Sequence, residues 1–160
     1  MKINRLLFQN KGYSVEEDLD YSTQSFDPTH IRNIGKTHVK ITGTDYEDFL
    51  VLNFEIVSEV IGVCSYTLED VPLTIKVNTS LTFTYEEEDE ETIHIDNPIF
   101  EVDEYILDLI IAEVPMKIVK KGAKLPSSGA GYRVLSEDEY NKEQENKKDS
   151  RWSALDDIEL

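Results

Sequence analysis

The sequence predicts an α+β fold. Its centre is a strongly curved antiparallel sheet of roughly six or seven strands, with a closed barrel as the limiting form. One packed helix and a weakly ordered helical C-terminal tail complete it. Three observations carry this. Two long runs, Phe49 to Ile61 and Val71 to Tyr85, alternate apolar and polar residues with a period of two. The period then switches to a helical one over Val102–Glu113. After Pro115 the apolar patterning stops.

The two runs are the core of the prediction. In the second, Val71, Leu73, Ile75, Val77, Leu81, Phe83 and Tyr85 share one parity, and Thr74, Lys76, Asn78, Ser80, Thr82 and Thr84 the other. One face in a core and one in water produces that pattern, and the β-branched and aromatic content agrees. In the first run Leu50, Leu52, Phe54, Ile56 and Val60 share the inward face. The runs read as neighbouring antiparallel strands. Their connector, Gly62–Asp70, holds the single cysteine, and Pro72 stands where a strand begins and a missing N–H does least harm.

The remaining elements follow in chain order. Met1–Phe8 alternates weakly, Asn10-Lys11-Gly12 is a turn signal, and Tyr13–Glu17 is a second short strand, so the chain is predicted to open with a hairpin. Leu19–Asn33 is polar and mixed and reads as a surface loop containing His30. Ile34–Thr44 returns to strand character, with Val39 and Ile41 inward, His38 and Lys40 outward, and a turn at Gly43 and Asp45. Thr92–Ile95 is a short strand with Ile93 and Ile95 inward, expected to pair back across the preceding loop. Val102, Tyr105, Ile106, Leu109 and Ile110 have helical spacing, with Leu107 and Ile111 widening the stripe. Asp103 and Glu104 suit the positive end of the helix dipole, and Pro115 ends the helix. Ser136 and Glu139 form a capping box for a second helix running to about Lys147. That helix has Tyr140 as its one large apolar residue, so no core holds it. The division is a β-rich core with packed helix at 1–115, a basic flexible segment at 116–135, and a helical acidic tail at 136–160.

Composition bounds the function. The 160 residues include 33 acids and 16 bases, a net charge of −17. Such a surface repels phosphate backbones at long range and suits a basic partner, and it also serves plain solubility. One cysteine excludes an intramolecular disulfide and a multi-cysteine zinc site. Without a signal-like N-terminus or a run of transmembrane length, the chain reads as cytoplasmic. No phosphate loop, nucleophile elbow or metal-spaced histidine pair occurs, the histidines at 30, 38 and 94 fall on different elements, and Cys64 lacks a neighbouring base. The chain reads as non-enzymatic, without cofactor or metal, and Cys64 as a small buried hydrophobe.

Three places are candidates for binding. Glu86, Glu87, Glu88, Asp89, Glu90 and Glu91 are six consecutive acids, either a solvated hairpin loop or a docking patch for a basic protein. Between Glu113 and Glu137 there is no acid, and Lys117, Lys120, Lys121, Lys124 and Arg133 are all basic. This segment is either a nucleic-acid contact, with Tyr132 available to stack on a base, or a linker neutralised by the chain's own acids. In the tail, Asp149, Arg151, Trp152 and Leu155 are of the types that anchor interfaces, or fold back on the protein's own surface.

The ordered set of motifs resembles the YceD family, the bacterial large ribosomal RNA subunit accumulation proteins. His38-Val39-Lys40-Ile41-Thr42-Gly43 is similar to the family's strand ending in Thr-Gly. Cys64-Ser65-Tyr66-Thr67-Leu68-Glu69 stands where many members have Cys-x-Arg-Cys-Leu-Glu, with Tyr66 and Thr67 replacing the arginine and second cysteine. Ile106–Pro115 is similar to the family's amphipathic stretch ending in proline. Gly131 to Glu137 followed by Asp149 to Leu155 is similar to the closing signature, with Ser150 in place of a proline. The resemblance implies a cytoplasmic, non-enzymatic factor needed for accumulation of large-subunit rRNA. On that basis the acidic body, with Glu86–Glu91, is expected to hold a basic large-subunit ribosomal protein, the lysine segment to touch precursor rRNA, and the Arg151–Trp152 tail to anchor the partner. The rival readings are a direct rRNA-binding module and an RNA-processing enzyme with carboxylate-bound magnesium.

Overall fold

The computed structural model describes residues 1–9, 13–27, 29–46, 48–85 and 92–145. The elements in chain order are β1 (Lys2–Asn4), a short 3-10 helix (Arg5–Gln9), β2 (Ser14–Asp20), β3 (Ile31–Asp45), β4 (Phe49–Val63), β5 (Asp70–Thr84), β6 (Thr92–His94), β7 (Ile99–Glu101), α1 (Asp103–Glu113) and α2 (Glu137–Glu145). A five-stranded sheet has the order β2-β3-β4-β5-β6, and β1 pairs with β7 in a separate two-stranded sheet.

The long strands form where the alternation is cleanest. Leu50, Leu52 and Phe54 are fully buried, Ile56 and Val60 nearly so, and Val39 and Ile41 join them from β3. β4 and β5 pair antiparallel without a register break over their whole lengths. Between β3 and β4 the register shifts twice, at Ile31/Asn33 and Ile34/Thr37. Beside the second shift the buried hydroxyls of Thr37 and Ser58 satisfy each other at 2.7 Å. α1 lies on the inner face toward β5, with Ile106 and Ile110 fully buried and Tyr105 edge-on to Phe83 at 5.6 Å. Ile111, read as part of the buried stripe, is exposed. Val114 is extended, as the residue before a proline prefers.

The structure corrects five expectations. The sheet is open: β2 and β6 are its edges, and it does not close into a barrel. It is mixed, because β6 runs parallel to β5 through Thr82↔Thr92 and Thr84↔His94. The opening hairpin does not form: β1 pairs with β7 through Ile3↔Phe100, and β2 pairs with β3. Alternation marks a strand but not its neighbour, and Ile3 finds its burial against a distant segment. Leu19–Asn33 is not wholly a surface loop, since β2 runs on through Leu19 to Asp20, Ile31 starts β3, and Tyr21 and Ile31 are buried. Tyr21 donates to Asp103 at 3.4 Å, and burial first, then that carboxylate, pushes its phenol above the ordinary range. Gly43 is not in the turn but inside β3, where an added Cβ would meet the Val51 carbonyl at 2.7 Å and the Phe8 ring at 3.0 Å. The glycine is there for closeness of approach. Among the described residues no helix is long and apolar enough to cross a membrane.

Candidate functional site

The two ends of β4 each carry a cluster of chemistry-bearing side chains. At its C-terminal end the connector folds into a compact turn: Leu68 N–H donates to the Cys64 carbonyl and Cys64 N–H to the Glu69 carbonyl. Leu68 takes a left-handed φ of 59° and is largely exposed. The chain after α1 returns to this turn. Ile118, 3% exposed, packs over Gly62, where a Cβ would stand 2.4 Å from its Cδ1. Ser65 N–H donates to the Ile118 carbonyl at 2.7 Å, and Lys120 N–H to Cys64 Sγ at 3.4 Å.

This docking sets the surroundings of the basic segment. Lys120 Nζ lies 3.2 Å from Glu69, whose carboxyl is held below its ordinary value by Lys120 first and Thr67 second. Lys117 Nζ lies over the Tyr66 ring at 5.6 Å and 3.5 Å from Glu137. A hydrogen bond to Tyr66, with Glu137 behind it, keeps the ammonium above its ordinary value. Arg133 bonds Glu143 of α2 at 2.6 Å. Three of the proposed RNA-contacting cations are therefore on acids of their own chain, while Lys121, Lys124 and Tyr132 are exposed. Lys117 and Lys120 are brought together at the turn, and Arg133 is placed with α2 instead. Tyr132 closes a tight turn against Gly129, with its ring atoms across the glycine face.

Cys64 is buried, as expected of a small hydrophobe, and its sulfur is also hydrogen-bonded. Its sulfur accepts from the backbone of Lys120, then from the Thr67 hydroxyl and the Tyr66 and Thr67 amides, and its thiol falls from 9.0 to about 7. Sequence reasoning looked for a charged neighbour, whereas uncharged donors supply the stabilisation: one backbone N–H from Lys120, 56 residues away, and the Tyr66 and Thr67 groups of the connector.

At the N-terminal end of β4 a second cluster escaped sequence reasoning. Arg5 is buried, its Nε 2.5 Å from Asp45, its Nη2 donating to the Tyr46 carbonyl at 2.6 Å, and its guanidinium 4.8 Å above the Tyr85 ring. Tyr46 stacks on Phe49 at 4.7 Å, and Leu6, Tyr46, Phe49 and Tyr85 are all exposed. Arg5, Leu6, Gln9, Asp45, Tyr46 and Tyr85 line an open depression of about 480 Å³. The one signal available was an arginine set before Leu6-Leu7-Phe8. Tyr85 leads directly into Glu86–Glu91. Glu86, Glu87, Glu88, Asp89, Glu90 and Glu91, like Asp149, Arg151, Trp152 and Leu155, lie outside the described residues. The histidines stay apart: His38 pairs with Asp18 and His94 with Asp96. Among the described residues no group of three or more His, Cys, Asp or Glu is placed to hold a metal.

Residues 52–159 match the family model described as large ribosomal RNA subunit accumulation protein YceD. The chain is also similar to the uncharacterized protein YlbN of Bacillus subtilis (strain 168). That likeness is 25% identity over 155 residues, covering 91% of this chain and 87% of that protein. No solved structure matches.

Proposed function

The chain belongs to the YceD family, and from that premise we propose that it serves large-subunit ribosome biogenesis in the cytoplasm as a non-enzymatic holder of a basic ribosomal protein. Membership supports a role in large ribosomal RNA accumulation. The holding mechanism rests on one observation: Lys117, Lys120 and Arg133 are engaged by Glu137, Glu69 and Glu143, in a chain of net charge −17. The balance of charge left facing outward is acidic.

The end with Arg5, Asp45, Tyr46, Phe49 and Tyr85 is the surface favoured for the contact. It already binds one guanidinium through a carboxylate, a carbonyl and an aromatic face, and it leaves other aromatic surface exposed. The acids at 86–91 follow Tyr85 in the chain and add attraction for cations. The Arg151–Trp152 tail remains part of this proposal as a second anchor.

The test is a tagged pull-down from growing cells, washed at low and high salt, with protein and RNA both identified. A basic large-subunit protein retained after nuclease treatment, and lost from a Tyr46→Ala/Tyr85→Ala variant, is the expected result. Precursor rRNA retained alone and released by salt would favour direct RNA binding, the reading that exposed Lys121, Lys124 and Tyr132 support.

A further inference from the structure

β5 is fifteen residues long, Asp70–Thr84, and is paired with β4 throughout. On its other side β6 covers only the three residues Thr82–Thr84. The remaining twelve, Asp70 to Leu81, carry no further strand among the described residues. A free edge of this kind is a row of backbone donors and acceptors, ready for another extended chain. Proteins that do not use such an edge blunt it with charge, bulges or short length. This edge has no bulge, and between Val71 and Leu81 its blunting residues are two, Pro72 near its start and Lys76, which leaves the stretch from Val77 to Leu81 without either.

The inward row of β5 is also less complete than its neighbour. Val71, Leu73 and Leu81 are half-buried against the core, whereas Leu50, Leu52 and Phe54 on β4 are fully enclosed. An added strand with apolar residues at alternate positions would cover that row. Pro72 fixes the geometry further. It has no N–H to give to β4, so its position fits the parity whose amides face outward, which Thr74, Lys76, Asn78 and Ser80 share.

Charge beside the edge selects the occupant. α1 packs toward the β5 side and carries exposed Glu104, Asp108 and Glu113 with no basic residue, its Asp103 being paired with the Met1 ammonium. A second copy would bring the same acids and the same net −17, so a cationic strand is favoured over self-pairing. We infer that the β5 edge is a strand-addition site for an extended basic segment of a partner protein, apolar on one face and bearing Lys or Arg on the other. The sign of the partner's charge rests on the reading under Proposed function; the edge itself does not.

The test uses the full chain and a synthetic twelve-residue peptide of alternating valine and lysine, with a valine–glutamate peptide as control. Backbone hydrogen exchange is followed residue by residue. The lysine peptide should slow exchange at least 10-fold at alternate amides within 71–81, and Asn78→Pro should weaken its binding at least 10-fold. Should Asn78→Pro fail to fold, the exchange map of the unaltered protein decides alone. Protection elsewhere, or no binding, overturns the edge assignment and leaves the holder reading standing. Equal binding of the glutamate peptide overturns the charge argument. Sedimentation of a dimer with the same amides already protected would assign the edge to a second copy and overturn the basic occupant.

Discussion

Replacing Ile118 by alanine should release the segment after α1 from the connector. Ile118 is 3% exposed and fits over Gly62, where nothing larger than hydrogen leaves it room. A buried Ile→Ala change costs about 2–5 kcal/mol. The other holds are weaker: one backbone hydrogen bond from Ser65, one N–H to sulfur, an exposed Lys120–Glu69 pair, and exposed Lys117 over the Tyr66 ring. At about 0.5–1.5 kcal/mol for each hydrogen bond and about 0–1 for the pair, they cannot keep the segment docked alone. The loss should therefore fall in the lower half of the range, at about 3 kcal/mol. With a urea slope of about 1–3 kcal/mol/M, the midpoint should drop by roughly 1–3 M. The distinguishing assay is Cys64, which is buried beneath Lys120. Its reaction with an aromatic disulfide reagent should accelerate at least 10-fold in Ile118→Ala, and Gly62→Ala should imitate it by displacing the same side chain. A lowered midpoint with unchanged Cys64 reactivity would refute the reasoning, since Ile118 would then be ordinary core and the segment would stay seated.

The remaining predictions concern single contacts. The Cys64 alkylation rate in the unaltered protein should rise through a midpoint near pH 7 rather than 9, because the hydrogen bonds on sulfur favour the thiolate. The sign follows: a depressed acid stabilises the fold above its unfolded value near 9 and loses that contribution as pH falls through about 7, so stability of Cys64→Ala relative to the unaltered protein should be lower at pH 9 than at pH 6. Asp45→Ala should cost about 3–5 kcal/mol by leaving the buried Arg5 guanidinium without its carboxylate, and Arg5→Met/Asp45→Leu should cost less than that, read by urea unfolding. Gly43→Ala should cost about 1–3 kcal/mol, because the added methyl meets the Val51 backbone and cannot be accommodated by a rotamer change.

What could be read from the sequence was local and periodic. The alternation located the central strands at 49–61 and 71–85, and the structure has them at Phe49–Val63 and Asp70–Thr84. The helix expected from Val102 begins at Asp103, and the Ser136–Glu139 box forms with both reciprocal bonds. What could not be read was pairing between distant segments. Nothing in Lys2-Ile3-Asn4 names Ile99–Glu101 as its neighbour, and nothing in Thr92–His94 says that it runs parallel to β5. The same limit hid the sites. An arginine before three apolar residues reads as surface, and only the fold brings Asp45 and Tyr85 to it. A cysteine without a charged neighbour reads as a plain buried hydrophobe, and the largest hydrogen bond to its sulfur comes from Lys120, which only the fold brings there.

The basic segment is where charge contrast and structure give opposite readings, and a salt titration separates them. Seen as composition, five cations with no acid from 114 to 136 are a nucleic-acid patch. Seen as structure, three of the five face Glu137, Glu69 and Glu143. Such exposed pairs are each worth only about 0–1 kcal/mol, so phosphate could compete for them, but every exchange would expose a carboxylate beside the RNA. Net counterion release should then come from Lys121 and Lys124 alone. For two phosphate contacts the logarithmic slope of binding against salt is roughly 1.4 to 1.8 in magnitude, against roughly 3.5 to 4.5 for five. Any binding of a large-subunit precursor fragment should therefore show the shallow slope and lose it in Lys121→Gln/Lys124→Gln. A slope near four, retained in that variant, would mean that the internal pairs open to RNA, and the case for an acidic holder would lose the observation that carries it.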